Sequence, residues 1–178
     1  MADWSFNLIA DMKNPKLVLF RSDLAAVIRD KYPKSNHHFL VLPWENINTV
    51  YQLSLKHVTL LRDMYDLAMK SIQNTRVKLE YFKIGFHMRP SMNRLHLHVI
   101  SKDFRGAGLK RIRHWTHFNT AFFMPYQDVL DELLEHGTII ARSTAYIEKL
   151  LSAPLLCNQC DFQTTEIEQI VRHLRNFH

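Results

Sequence analysis

The 178-residue sequence predicts an α+β fold, an antiparallel sheet backed by one long helix, with a small module appended at the C-terminus. Apolar residues recur at spacings of three and four between Val50 and Ile72, and stretches of period-two alternation flank that segment on both sides. The order strands, helix, strands leaves neighbouring strands to pair antiparallel rather than through βαβ crossovers. Past Pro154 the composition changes, with both cysteines falling in Cys157-Asn158-Gln159-Cys160. A chain of this length, 47% hydrophobic, fills one core and leaves a short remainder, so residues 1–150 are expected as the main domain and 151–178 as the appended module.

In chain order, Trp4, Leu8 and Met12 lie at i, i+4 and i+8 on one face of a short helix, which Asn14-Pro15 stops. Leu17–Phe20 and Leu24–Ile28 flank the polar turn Arg21-Ser22-Asp23 as a hairpin, and His38–Leu42 is a further strand closed by Pro43. Thr49-Val50-Tyr51-Gln52 has the form of a capping box, so the long helix is expected to start there and to bury Val50, Leu53, His57, Leu60, Leu61, Met64, Leu67, Ala68 and Ile72. Leu79–Met88 and Arg94–Ile100 alternate as strands joined through Pro90-Ser91, and Thr164–Asn176 is a polar helical stretch. No apolar run approaches the roughly 18 residues of a membrane span. Met1-Ala2-Asp3-Trp4 lacks the basic-then-apolar order of a signal peptide, so a soluble, intracellular protein with no membrane partner is expected.

Lys and Arg number 23 against 17 Asp and Glu, a net +6 that favours an anionic partner. The surplus is concentrated: Lys102, Arg105, Lys110, Arg111 and Arg113 face the single acid Asp103 in sequence. Such a stretch either tracks a phosphate backbone or is a solvated basic loop. With His114, Trp115, Phe118 and Asn119 it mixes cations and aromatics in the manner of a nucleic-acid surface. Trp4 has two uses, packing its helix on the sheet or stacking on an exposed base pair.

Strand alternation sends Arg94, His96 and His98 to one face and Leu95, Leu97 and Val99 to the core. In the preceding strand Lys83, Gly85 and His87 share a face, and a strand glycine there suggests the close approach of a ligand. His38, Lys34 and Ser91 can join the same patch. Three readings stand side by side: separately satisfied histidines, a metal site from the i, i+2 pair, and covalent catalysis in which a neutral imidazole attacks phosphorus while its neighbours hold the phosphoryl oxygens. At the C-terminus, Cys157-x2-Cys160-x12-His173-x4-His178 has the ligand types and spacing of a C2H2 zinc finger, implying structural Zn2+.

Ser91-Met92-Asn93-Arg94-Leu95-His96-Leu97-His98-Val99-Ile100-Ser101 resembles the motif of the histidine-triad superfamily, and His38–Pro43 its earlier conserved strand. Trp4-Ser5, Asn14-Pro15-Lys16, Asp30–Lys34, Leu40–Trp44, Pro90–Met92 and Phe118–Thr120 are similar to the branch of that superfamily that hydrolyses DNA adenylates. The resemblance implies a histidine-triad fold and a DNA-repair hydrolase that removes 5′-linked AMP through an AMP-histidine intermediate. It implies His96 as nucleophile, with His98 and His38 assisting. Asp30 would bind the ribose, with Ile28 near the adenine and Lys34, His87, Ser91 and Met92 at the phosphate. Trp4, Ser101, Lys110, Arg113 and His114 would contact DNA. The implied partners are DNA with 5′-adenylated ends or nicks, extending to RNA-DNA junctions, with AMP as product and the nucleus as location. Arg94 departs from the pattern, which has histidine at the first triad position. Arginine cannot shuttle a proton near neutral pH, so that position is expected to support rather than perform chemistry. A hydrolase of small adenylates and a non-catalytic zinc-finger nucleic-acid-binding protein are the other readings.

Overall fold

The computed structural model describes residues 5–92 and 94–178. Helix α1 (Ser5–Lys13) precedes strands β1 (Val18–Arg21), β2 (Ala25–Arg29) and β3 (His38–Pro43). Helix α2 (Val58–Gln73) leads to β4 (Phe82–His87) and β5 (Leu97–Ser101), then α3 (Ile112–Asn119), β6 (Phe123–Pro125), α4 (Tyr126–His136) and α5 (Thr144–Leu151). The short strands β7 (Leu155–Leu156) and β8 (Gln163–Thr164) and helix α6 (Ile167–Phe177) close the chain. The main sheet has the order β1-β2-β3-β5-β4-β6 with every pair antiparallel, and β7 and β8 form a separate hairpin, which gives the predicted α+β class.

The β1–β2 turn is set by one hydroxyl. Ser22 Oγ accepts from the backbone N–H groups of Leu24 and Ala25 at 3.1 and 3.0 Å and donates to Asp63 of α2 at 2.5 Å, so the hairpin is pinned to the helix it packs on. α2 buries Leu60, Leu61, Met64, Leu67, Ala68 and Ile72 against Val27, Phe39, Val41, Leu97 and Val99, which are the inward set of three adjacent strands. Each of its large aliphatic side chains contributes about 2 kcal/mol of transfer free energy, enough to fix which face of the sheet is closed.

The helix begins later than its sequence pattern suggests. Gln52 turns its side-chain carbonyl to Asn48 N–H at 2.6 Å, Thr49 makes no cap bond, and Leu53 is extended. The capping box forms instead at Ser54 and His57, whose Nδ1 accepts from Ser54 N–H at 2.9 Å, and α2 starts at Val58. Two strands are also shorter than read: Leu79–Tyr81 is a 3-10 turn before β4, and β5 begins at Leu97, past Arg94 and His96. Gly85 admits protein rather than ligand, because a Cβ there would collide with the Met124 carbonyl and the Phe123 ring of the adjoining strand β6.

The second face of the sheet is divided. At one end Ala26, Ile28, Leu40 and Leu42 are covered by Leu8 and Met12 of α1. At the other, Ile100 and Phe123 pack with Phe104, Trp115 and Phe118 and with Leu155, Ile167, Ile170 and Leu174 of the C-terminal module. Trp115 Nε1 donates to the Leu156 carbonyl at 3.1 Å, and Asn158 Nδ2 to the Lys102 carbonyl at 2.7 Å. The C-terminal module thus shares a core with the sheet across the position 150 boundary. Between the two covered ends lies the strip that carries the histidines.

Candidate active site and metal cluster

Register brings the histidines together. His98 of β5 pairs with Leu40 on one side and Gly85 on the other, and His38 pairs with Ile100, so His38 and His98 sit diagonally on the same face. His96 lies just before β5 and His87 ends β4; His38, His87, His96 and His98 are all buried. They form the floor of a cleft of about 810 Å³. One wall is the loop from Asp30 to Lys34, the other is the segment from Ala107 to Phe118. The walls touch through their backbones: Gly106 N–H donates to the Lys34 carbonyl at 3.1 Å and Gly108 N–H to the Pro33 carbonyl at 2.8 Å. A side chain at either glycine would strike the opposing main chain, so these two positions need glycine to set the spacing of the walls.

Hydrogen-bond partners assign the tautomers. His96 Nδ1 lies 2.6 Å from the Arg94 carbonyl, and a carbonyl only accepts, so the His96 proton is on Nδ1 and its lone pair on Nε2. Lys34 N–H donates to His38 Nδ1 at 3.3 Å, which leaves the His38 proton on Nε2, 3.0 Å from His98 Nδ1 and 3.6 Å from Asp30 Oδ2. His98 Nδ1 therefore accepts, and His98 carries its own proton on Nε2. Neither His98 Nε2 nor His87 Nε2 has a hydrogen-bond partner among the described residues. A buried polar atom left without a partner is costly, and both line the cleft.

Burial keeps these rings neutral. It pulls His38 down to about 4, with Asp30 opposing and Lys34 and His96 reinforcing. His87 and His98 are held well below the ordinary imidazole value, by burial first and then by neighbouring basic groups. His96 is lowered by burial, against the Arg94 carbonyl and Asp30. Burial also lowers the Lys34 ammonium, with Asp30 opposing. The linked rings of His38, His96 and His98 thus offer one uncommitted lone pair, His96 Nε2, and one uncommitted donor, His98 Nε2–H, ringed by Lys34, Lys110 and Arg113.

The ligand atoms of His87, His96 and His98, and those of Asp30, His38 and His98, also lie within 4.8 Å of one another. Metal binding through His98 Nε2 would need its proton moved to Nδ1. His38 would then have to accept at Nε2 and present Nδ1–H to the Lys34 N–H, setting donor against donor. The hydrogen-bond chain thus opposes a metal held through His98 Nε2.

Of the residues read from sequence, Asp30, Lys34, His38, His87, Ser91, Met92, His96, His98, Lys110, Arg113 and His114 line the cleft. Ile28 does not: it is buried with Leu8, Met12 and Leu40. Ser101 is buried as well, and its hydroxyl ties Asp103 to the His37 N–H. Trp4 lies outside the described residues. The structure adds Tyr32 and His117. His117 was legible, since Lys110, Arg113, His114 and His117 fall at i, i+3, i+4 and i+7, the spacing of one helix face.

Arg94 does not face the reacting groups. Its guanidinium donates to Asn46 Oδ1 at 2.7 Å and to the Pro43 and Trp44 carbonyls at 2.9 Å each, fastening the chain that leaves β3. What position 94 gives His96 is its backbone carbonyl, which any residue supplies.

In the C-terminal module Cys157 and Cys160 occupy the turn between β7 and β8, with His173 near the end of α6 and His178 just past it. Their ligand atoms lie within 4.8 Å of one another. Cys157 Sγ is 3.6 Å from His178 Nε2, Cys160 Sγ is 3.1 Å from His173 Nε2, and the two Nε2 atoms are 3.2 Å apart. Bonds of about 2.3 Å to sulfur and 2.0 Å to nitrogen in a tetrahedron give edges of roughly 3.3–3.8 Å, so this donor set fits zinc.

Two family models match successive parts of the chain. Residues 3–114 match the family profile described as scavenger mRNA decapping enzyme C-term binding, and residues 119–177 match the C2HE / C2H2 / C2HC zinc-binding finger. Aprataxin of Gallus gallus is 37% identical over 98% of this chain, and that of Danio rerio 39% over 97%. The aprataxin-like protein of Saccharomyces cerevisiae is 30% identical over 83% of this chain and 80% of its own length. The chain spans about half the length of the two vertebrate relatives and about a quarter of the Drosophila melanogaster aprataxin-like protein. The crystal structure of the aprataxin ortholog Hnt3 in complex with DNA superposes with a TM-score of 0.76, at 23% identity, over 95% of this chain and 92% of that one. A fold of histidine-triad form, a buried histidine floor, a C-terminal Cys2His2 cluster and relatives that align over nearly all of this chain place it in the aprataxin family of the histidine-triad superfamily.

Proposed function

We propose that the chain is a DNA-repair hydrolase that removes AMP from adenylated 5′ ends or nicks, extending to RNA-DNA junctions, in a nuclear role. The observation that carries this is the tautomer chain, which leaves His96 Nε2 as a lone pair beside the His98 Nε2–H on the floor of a cationic cleft. Aprataxin relatives and an Hnt3–DNA complex support a DNA substrate.

In the first step His96 Nε2 attacks the adenylate phosphorus in line. The bond between that phosphorus and the bridging oxygen breaks, and the oxygen departs with its electron pair as the DNA 5′-phosphate. A phosphate monoester has a second pKa near 6, so at neutral pH it leaves without a proton. No acid is needed at position 94. Charge that develops on the imidazole is held by the Nδ1–H bond to the Arg94 carbonyl, and charge on the non-bridging oxygens by His98 Nε2–H and Lys34. In the second step water attacks the same phosphorus, its proton passes to solvent, and His96 leaves as the neutral Nδ1–H ring with AMP released. Asp30 is assigned to the ribose, Ser91 and Met92 to the AMP phosphate and Lys110, Arg113 and His114 to the DNA backbone. Cys157, Cys160, His173 and His178 would hold a structural Zn2+, which braces the wall that carries α3. On this reading residues 1–150 supply the catalysis and 151–178 the finger.

The test is to mix the protein with nicked duplex bearing labelled AMP on the 5′-phosphate, quench within one turnover and digest. Label on a peptide containing His96, absent in His96→Ala, is expected. Release of AMP from the wild type with no labelled peptide at any quench time would sink the covalent route.

A further inference from the structure

The reacting phosphorus above is handled by the floor and by Lys34 of one wall, and the second wall is given only general contacts to the DNA backbone. On the second wall, α3 carries Arg113 and His117 one turn apart. His114 between them is committed to the start of the helix, since Lys110 N–H donates to its Nδ1 at 3.2 Å. His117 is half-buried, stacked on Phe122 at 4.4 Å and set edge-on to His87 at 5.1 Å. Its ring makes no hydrogen bond to the described residues.

The charged surroundings of His117 are of one sign. Arg113 acts on it from α3, Arg89 from just past β4 and Lys34 from the facing loop, and no carboxylate is among them. Burial first, and then these groups, hold the ring down to about 4. Such a wall gains most from a doubly charged anion. His87 joins it to the floor, with ring centroids 4.3 Å from His98 and 5.1 Å from His117. Two phosphates that share a bridging oxygen need two subsites side by side, and His87 lies at that border.

We infer that Arg113 and His117 form a second phosphate subsite, one that takes the terminal 5′-phosphate of a polynucleotide separately from the adenosine monophosphate held on the floor. The inference rests on the hydrolase reading only for the source of that phosphate. The wall reads a 5′-phosphorylated end whether or not AMP is attached.

Anisotropy titrations with two recessed duplexes of one sequence, ending in 5′-phosphate or 5′-hydroxyl and carrying no adenylate, test it. The wild type is expected to prefer the phosphate by about tenfold, the size of one or two charge-assisted hydrogen bonds. His117→Ala and Arg113→Gln should each bring the ratio toward one while AMP still binds. Absence of the preference in the wild type, its survival in both variants, or a parallel loss of AMP affinity overturns the subsite. A wild type that prefers the phosphate yet releases no AMP from adenylated duplex refutes the hydrolase reading and leaves the subsite standing.

Discussion

Two groups of histidines lie on the same side of the sheet, and the difference between them is what each second ring nitrogen and each neighbour supplies. In the finger, two thiols stand beside the Nε2 atoms of His173 and His178, so four donor atoms converge on one point. In the cleft, three Nδ1 atoms are already committed to a carbonyl, a main-chain N–H and another imidazole. The result there is one lone pair and one N–H, which cannot chelate together but can attack and donate together. On the proposed function, the same residue type serves as ligand or nucleophile according to its partners.

The largest effect expected from breaking this contrast is on the cleft. His96→Ala removes the nitrogen assigned as the uncommitted lone pair, and single-turnover AMP release should fall by at least roughly 10³-fold with the melting temperature little changed. A smaller loss would move the nucleophile elsewhere. Removing metal is the matching test of the finger. A strong chelator should cost several kcal/mol, seen as a fall of about 10 °C or more in melting temperature for a chain of this size, because Trp115 and Phe118 share a core with Ile170 and Leu174. Zinc should restore it and magnesium should not. If the chelator abolishes AMP release without moving the melting temperature, the metal acts in the cleft and the contrast fails.

Acid should separate the groups further. His38 has its folded pKa depressed from 6.5 to about 4, so the unfolded chain takes up the proton first. Stability is unaffected above about pH 6.5 and falls as pH drops toward 4, by roughly 3 kcal/mol for this ring alone, with His87, His96 and His98 adding in the same direction. Denaturant midpoints between pH 7 and pH 4.5 measure it. The acid limb of AMP release should likewise fall below 6.5, since the proposed mechanism requires the neutral His96. The mildest change is Arg94→Ala, which takes the hydrogen bonds from the Pro43 and Trp44 carbonyls but leaves the carbonyl that orients His96. A loss of about 1–3 kcal/mol in stability with turnover reduced only several-fold is expected. A fall in turnover equal to that of His96→Ala would assign the guanidinium to the chemistry.

Much of this was legible because it depends on local period. The alternation of His96 and His98 with leucines, the apolar face of α2 and the spacing of the four finger ligands are all written in short stretches of sequence. What escaped depends on partners far away in the chain. Gly85 reads as a ligand contact until β6, nearly 40 residues on, is seen to lie against it. The resemblance puts Ser101 against DNA, yet its hydroxyl is buried between His37 and Asp103. α3 was missed as a helix because its basic residues drew a reading from charge, although their spacing is helical. The late start of α2 followed from one glutamine side chain choosing Asn48 over the cap.

The main-chain origin of the His96 tautomer has a consequence for variation at position 94. Selection on that side chain acts on how firmly the Pro43–Asn46 turn is held, and the reacting nitrogen does not register the outcome. Substitutions there should sort by the temperature at which the protein survives rather than by the rate at which it works. A histidine placed at 94 would have to hold the same turn with fewer donors, and would be judged by that.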